Sequence, residues 1–315
     1  YITEGELDEL VNISEKYIKS NNYSISSKID VLDTYLITDN TEWENIVKNL
    51  YNKPINLTHI KKTLPILLEY NKVINVAELI DAIRSTTKYK KFYALELGNF
   101  FTLQLDFDSA LDEYLLYLSE SPKNIQFINQ RIMLLAEHNI AIEPIRNKLS
   151  LSSTRESKII LSSLEFKLKN YSQSYQLLQN IDNSDKEKLQ LSQDLIKINK
   201  FDLAEIIIND IIDISKDKTL INTAIFQLAS LYEVQAKESI VMLPISNDIY
   251  KNELLDSPYI KLDDNYNKLL FKAISIYDSL STHNKDYKSS LHLAEIKYKV
   301  IKDLDGAEKI YYDIY

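Results

Sequence analysis

No cysteine occurs among the 315 residues, so disulfides and thiolate metal sites are excluded. Glycine is nearly as scarce: 3 are present, where average usage would give roughly 22. Gly5, Gly98 and Gly306 each stand alone. The chain therefore has no P-loop, dinucleotide fingerprint, kinase-type phosphate loop or nucleophile elbow. Each of those needs glycine for positive φ or for close approach of backbone to phosphate. No run of about 18 apolar residues occurs either, so no transmembrane helix lies within these residues. The formal net charge is −9, with lysine and glutamate interleaved and no basic face visible. Nucleic-acid binding would show such a face.

With 45% hydrophobic content the chain can bury a large core. Few glycines and 6 prolines suit helices joined by short turns. A stack of such helices grows its core by repetition, so the length does not require two domains. The abundance of Tyr, Asn, Ile and Lys reads as AT-biased coding, and the 22 tyrosines are not taken as a binding signature. Asn-x-Ser/Thr at Asn12, Asn22, Asn56 and Asn170 is expected by chance in so Asn- and Ser-rich a chain. The chain begins with Tyr1, shows no signal peptide at its start and stops within the amphipathic stretch 307–315. Both ends thus read as cut, and the compartment, cytoplasmic or periplasmic, stays open.

The most specific pattern is in residues 94–122. Ala94, Leu97, Gly98, Phe101, Phe107, Ala110, Tyr114 and Pro122 fall at positions 4, 7, 8, 11, 17, 20, 24 and 32 of a 34-residue frame. Residues 58–91 fit the same frame through Lys61, Leu64, Pro65, Leu68, Ile74, Ala77 and Asp81, departing at Pro65 and Asp81. Residues 185–218 fit through Leu191, Ser192, Leu195, Phe201, Ala204, Ile208 and Ile211. Near the end, Leu291, Ala294, Glu295, Tyr298, Leu304, Ala307 and Tyr311 fit again, while 155–182 is several residues short of a unit. The turns at 106–110, 200–204 and 303–307 share an acidic residue expected to cap the following helix and meet its positive dipole end.

On these residues the chain resembles the tetratricopeptide-repeat family, most nearly its bacterial members, over most of its length. The resemblance implies an all-α, right-handed superhelical solenoid of roughly five to seven antiparallel helix pairs. The expected organisation is degenerate hairpins over 1–57 (helices at 5–20, 24–37 and 40–50), two well-matched units over 58–124, and degenerate units over 125–235. A long insertion follows over 236–265, then C-terminal repeat-like helices over 266–315. Trp43 is expected to be a core aromatic under a hairpin. The insertion separates a helix ending near Leu231-Tyr232 from one containing 272–277, and is expected either to pack over a groove or to be a tolerated loop.

Function is expected at the concave face. The resemblance assigns groove positions to His59, Lys62, Ile66, Glu69 and Tyr70, then to Phe92, Leu95, Asn99, Thr102 and Leu103, then to Gln126, Asn129, Met133, Ala136 and Glu137. Such a mixture of aromatic, amide and charged groups could grip an extended peptide or a helix. The family's Lys/Asn clamp for C-terminal carboxylates is not present as a set, since Lys62 is followed by Ile66 and Asn99 is preceded by Leu95. His59, His138, His283 and His292 lack metal-ligand spacing, and no acid–base pair or positioned nucleophile stands out. The expectation is a non-catalytic scaffold for a protein or peptide partner, without cofactor, metal or nucleic acid, and deployed in an envelope or secretion assembly. The alternative is a regulatory or sensor domain of a larger signalling protein.

Overall fold

The computed structural model describes residues 4–51, 55–238, 241–242, 260–261 and 264–314. Among the described residues the chain is all-helical apart from one two-residue antiparallel ladder, β1 (Val241–Met242) with β2 (Ile260–Lys261). It divides into two compact units, Tyr1–Ile145 and Arg146–Tyr315.

The first unit opens with α1 (Glu4–Ser20), α2 (Ile25–Asp30), α3 (Leu32–Ile37) and α4 (Glu42–Leu50). These are the three helices expected over 5–50, with the second broken at Val31. Then come α5 (Leu57–Glu69), α6 (Val73–Thr86), α7 (Ala94–Leu103), α8 (Phe107–Ser119), α9 (Ile125–Leu135) and α10 (Asn139–Leu151), within which the second unit begins. That unit continues through α11 (Arg155–Lys167), α12 (Tyr171–Gln179), α13 (Asp185–Lys197), α14 (Phe201–Ile214) and α15 (Lys218–Glu238). It ends with α16 (Asp264–Asn284), α17 (Tyr287–Ile296) and α18 (Leu304–Ile314). Helices α15 and α16 pack against each other. Their ends take up the edges of the expected insertion, whose centre, 243–259, lies outside the described residues.

One turn recurs along the chain. Between α3 and α4, α5 and α6, α7 and α8, α11 and α12, and α13 and α14, a single left-handed residue (Asp39, Asn71, Leu105, Lys169, Asn199) joins the helices. In each, the next N–H reaches back five residues: Asn40 to Tyr35, Lys72 to Leu67, Asp106 to Phe101, Asn170 to Glu165 and Lys200 to Leu195, at 2.8–3.0 Å. This is the Schellman closure, which satisfies carbonyls that a helix end leaves open. Before α18 the left-handed residue is Lys302, and Asp303 N–H reaches Lys297, six residues back, at 2.9 Å. The extra residue belongs to the π-helical turn Lys297–Ile301.

No described glycine has positive φ, so in this glycine-poor chain the left-handed positions fall to Asn, Asp, Lys, Leu and Tyr. Gly98 serves a different need. A Cβ there would lie 2.7 Å from Tyr114 Cε1 and 2.9 Å from Cδ1, so glycine admits the ring against α7. Small buried residues recur twelve apart in three hairpins: Gly98 and Ala110, Ser162 and Ser174, Ser192 and Ala204. Ser162 Oγ donates to the Ser174 carbonyl at 2.9 Å, a direct sign of how closely those helices approach.

The core matches the expected register in α7–α8 and α13–α14. Ala94, Leu97, Gly98, Phe107, Ala110 and Tyr114 are buried, as are Leu191, Ser192, Leu195, Ala204, Ile208 and Ile211. In α5–α6 it does not. Leu64 is buried, but Lys61, Pro65, Ile74, Ala77 and Asp81 are exposed and Leu68 is half-buried. Ile60, Thr63, Leu67, Val76, Leu79, Ile80 and Ile83 form the core in their place. The frame therefore starts at 57 and not 58, and so meets the next frame, which starts at 91, one period of 34 later. The cause is chemical: Pro65 has no N–H and a bulky ring, and Asp81 is charged, so neither suits a tight helix contact.

Other expectations also shift. Asp106 and Asp303 do cap their helices, accepting from Ser109 N–H at 3.2 Å and Gly306 N–H at 3.0 Å. Asp202 does not, because Lys200 holds the cap position of α14 and no side chain caps it. Near the C-terminus Ala294 and Ala307 are buried, while Tyr298 and Leu304 are exposed. Trp43 is half-buried against the first unit's core, with Lys72 Nζ 4.9 Å from its ring centroid.

Candidate binding surface

The expected groove residues lie on or beside α5, α7 and α9 of the first unit, and the structure separates them into packed and open groups. Phe92 is buried, 7% exposed, in the turn before α7. It packs into the core, and its carbonyl accepts from Arg84 Nε at 3.1 Å. Asn99 and Thr102 are half-buried and serve Tyr114. The tyrosine hydroxyl donates to Asn99 Oδ1 at 2.9 Å and lies 3.1 Å from Thr102 Oγ1, which donates to the Gly98 carbonyl at 2.8 Å. A phenol only 1% exposed needs such partners, or its hydroxyl would be buried unpaired. Ala136 is likewise buried in the core.

The remaining positions are more open. Lys62, Glu69 and Gln126 are exposed, and His59, Tyr70, Asn129 and Met133 are half-buried. Tyr70 caps the end of α5; burial and the nearby Asp33 carboxylate push its hydroxyl pKa up. His59 sits in the first turn of α5, where its N–H is bonded by the N-cap Asn56 at 3.4 Å. With the register moved by one, α5 presents Thr58, Lys61, Pro65, Leu68 and Glu69 at the groove positions instead of the five expected, only Glu69 being common to both.

A pocket of about 230 Å³ opens beside α7, lined by Lys61 of α5, by Tyr89, Lys91, Phe92 and Tyr93 of the preceding loop, and by Leu95, Glu96 and Tyr117. Lysine nitrogens stand over its rings: Lys61 Nζ lies 5.9 Å from the Phe92 centroid and Lys91 Nζ 4.6 Å from that of Tyr117. Lys91 also donates to Ser121 Oγ. On the rim, Lys88 Nζ is 5.6 Å from the Tyr89 ring, and Lys90 Nζ bonds the Arg84 carbonyl at the end of α6, at 2.8 Å. Tyr93 caps α7 in the left-handed region at φ 60. Burial pushes its hydroxyl pKa up to about 12, with a smaller push from Glu96. The loop is held by Phe92 N–H to the Tyr89 carbonyl at 3.0 Å and Ala94 N–H to the Lys91 carbonyl at 3.1 Å. Of this lining the repeat pattern assigned groove roles to Phe92 and Leu95 alone; for the rest of the loop only its composition, Lys88-Tyr89-Lys90-Lys91, was there to be read.

The four histidines lie apart. His138 packs on the Phe107 ring at 5.0 Å between centroids, and His292 stacks on Tyr277 at 5.4 Å. Among the described residues no group of three His, Asp or Glu side chains could hold a metal ion, and no helix is long and apolar enough to cross a membrane. Neither the known protein families nor the curated proteins yield a match to this chain.

Proposed function

We propose that this chain is a tetratricopeptide-type helical-repeat protein and acts as a non-catalytic scaffold, holding a peptide or helix of a protein partner. The observation that carries the reading is the recurrence of one turn: a Schellman closure with a single left-handed residue at five sites and a π-lengthened version at a sixth. Buried small residues twelve apart in three of these hairpins support it. Such a unit cannot bury its apolar face alone, so it earns stability by stacking and leaves one face free for partners.

The test is capture of partners by the whole chain and by a variant with Thr58, Glu69 and Gln126 changed to alanine. These three are exposed, so the substitutions should leave the melting temperature unchanged. A partner held by the wild type and lost by the equally stable variant supports the groove as the working surface. A partner held equally by both removes these residues from the proposal. Asn99 is unsuitable for this purpose, because its loss would unsettle Tyr114 and confuse binding with folding.

A further inference from the structure

Acidic residues are missing from two stretches that the fold brings together. No Asp or Glu occurs from 45 to 68, which holds Lys48, Lys53, Lys61 and Lys62, or from 82 to 95, which holds Arg84, Lys88, Lys90 and Lys91. Arg84 is spent on a bidentate pair with Glu113, at 2.6 and 3.0 Å. Lys61, Lys62, Lys88, Lys90 and Lys91 have no carboxylate partner among the described residues, and three of their nitrogens stand over aromatic faces. On a chain of net charge −9 this is a local reversal of sign, and the lining of the pocket carries two lysines, Lys61 and Lys91, against one carboxylate, Glu96.

We propose that the pocket between Lys61, Tyr89, Lys91 and Tyr117 is a docking site for an acidic peptide segment, seating one aromatic or large apolar side chain flanked by carboxylates. The inference rests on the scaffold reading and names the chemistry of its partner. A volume of about 230 Å³ takes one such side chain, and the rings offer it stacking faces. The lysines at the rim supply charge complementarity, which raises the on-rate and excludes basic partners. A peptide is favoured over a nucleic acid because the positive patch is confined, while an extended polyanion would run on over acidic surface.

The test uses the whole chain and a fluorescein-labelled peptide, Glu-Asp-Phe-Asp-Glu, followed by anisotropy. Saturable binding is expected, weakening as salt rises from about 0.05 to 0.3 M. Lys61→Glu should weaken it about tenfold or more, and Lys61→Glu with Lys91→Glu further. Tyr89→Ala and a peptide with alanine in place of phenylalanine should each weaken it as well. Lys186→Glu, the same charge change on α13, should leave it unchanged. Lys61 and Tyr89 are exposed, so these variants should melt with the wild type even if Lys91→Glu disturbs its bond to Ser121. No saturable binding, equal binding by all variants, or stronger binding of an oligouridine RNA would each overturn the assignment. Partner capture through Thr58, Glu69 and Gln126 could still succeed in that case, leaving the scaffold reading in place without this pocket.

Discussion

Hairpins α5–α6 and α7–α8 share a turn but not a helix spacing, for α7 and α8 approach closely along much more of their length than α5 and α6 do. In α7–α8 the close approach is made by Gly98 and Ala110, and the space goes to Tyr114, whose ring lies against the glycine. In α5–α6 the same positions of the corrected frame hold Leu64 and Val76, with Ile80 in the place of the tyrosine, all buried. Glycine and alanine let α7 and α8 come close around one large ring, whereas leucine, valine and isoleucine fill a wider contact between α5 and α6. The first also brings a phenol hydroxyl into the core and must provide Asn99 and Thr102 for it. The second brings in only the Thr63 hydroxyl, which donates to the His59 carbonyl of its own helix at 3.0 Å and needs no side-chain partner.

The sharpest way to break this comparison is to test the register of α6. Val76 is fully buried and Ala77 beside it is exposed. Val76→Glu puts an unpaired carboxylate in the core and should destabilise by about 4 kcal/mol, enough to unfold a marginal unit. Ala77→Glu should change stability by no more than about 0.5 kcal/mol. Urea denaturation of the two variants decides it, and a reversed order would restore the frame that starts at 58.

That one-residue slip also shows how far the sequence could be read. The helices, their pairing and the core of α7–α8 follow from apolar spacing, because a pattern with Gly98 and Tyr114 at their proper distance has one good register. In α5–α6 leucines at 64, 67 and 68 fit two registers, and only the misfits, Pro65 and Asp81, pointed to the right one. The groove was less legible. Position in a repeat says which way a side chain points, but not whether its polar atoms are already engaged, as Asn99 and Thr102 are with Tyr114. The pocket beside α7 depends on Lys61 meeting Phe92 thirty-one residues later, a contact that no local pattern encodes.

Within α7–α8 the glycine–tyrosine arrangement can be tested from both sides. Gly98→Ala places a methyl within 3 Å of the Tyr114 ring. Overpacking of about 1–3 kcal/mol should exceed the gain of about 0.5–1 kcal/mol from better helix propensity, so the melting temperature should fall. Tyr114→Phe removes the hydroxyl that Asn99 accepts from and should cost about 1 kcal/mol. The double variant is informative, since a ring freed of its hydroxyl bond can tilt away from the added methyl. Its loss should therefore be smaller than the sum of the single losses.

The smallest effect concerns the turns, and its sign is opposite. Leu105 and Asn71 hold the same left-handed position in the two hairpins, at φ 60 and 56. A leucine there brings its Cβ too near the following carbonyl, at a cost of about 1–2 kcal/mol, whereas asparagine tolerates the region. Glycine removes the steric cost but adds freedom to the unfolded chain, so only part of the gain survives. Leu105→Gly should stabilise by about 0.5–1 kcal/mol, and nothing is lost from the core because Leu105 is 58% exposed. Asn71→Gly should shift stability by a few tenths of a kcal/mol at most. A rise in midpoint for the first variant and none for the second would place the difference between these hairpins in the packing of α7–α8 and in the residue that strains its turn. Equal shifts would mean that the left-handed residues are relieved by contacts common to both.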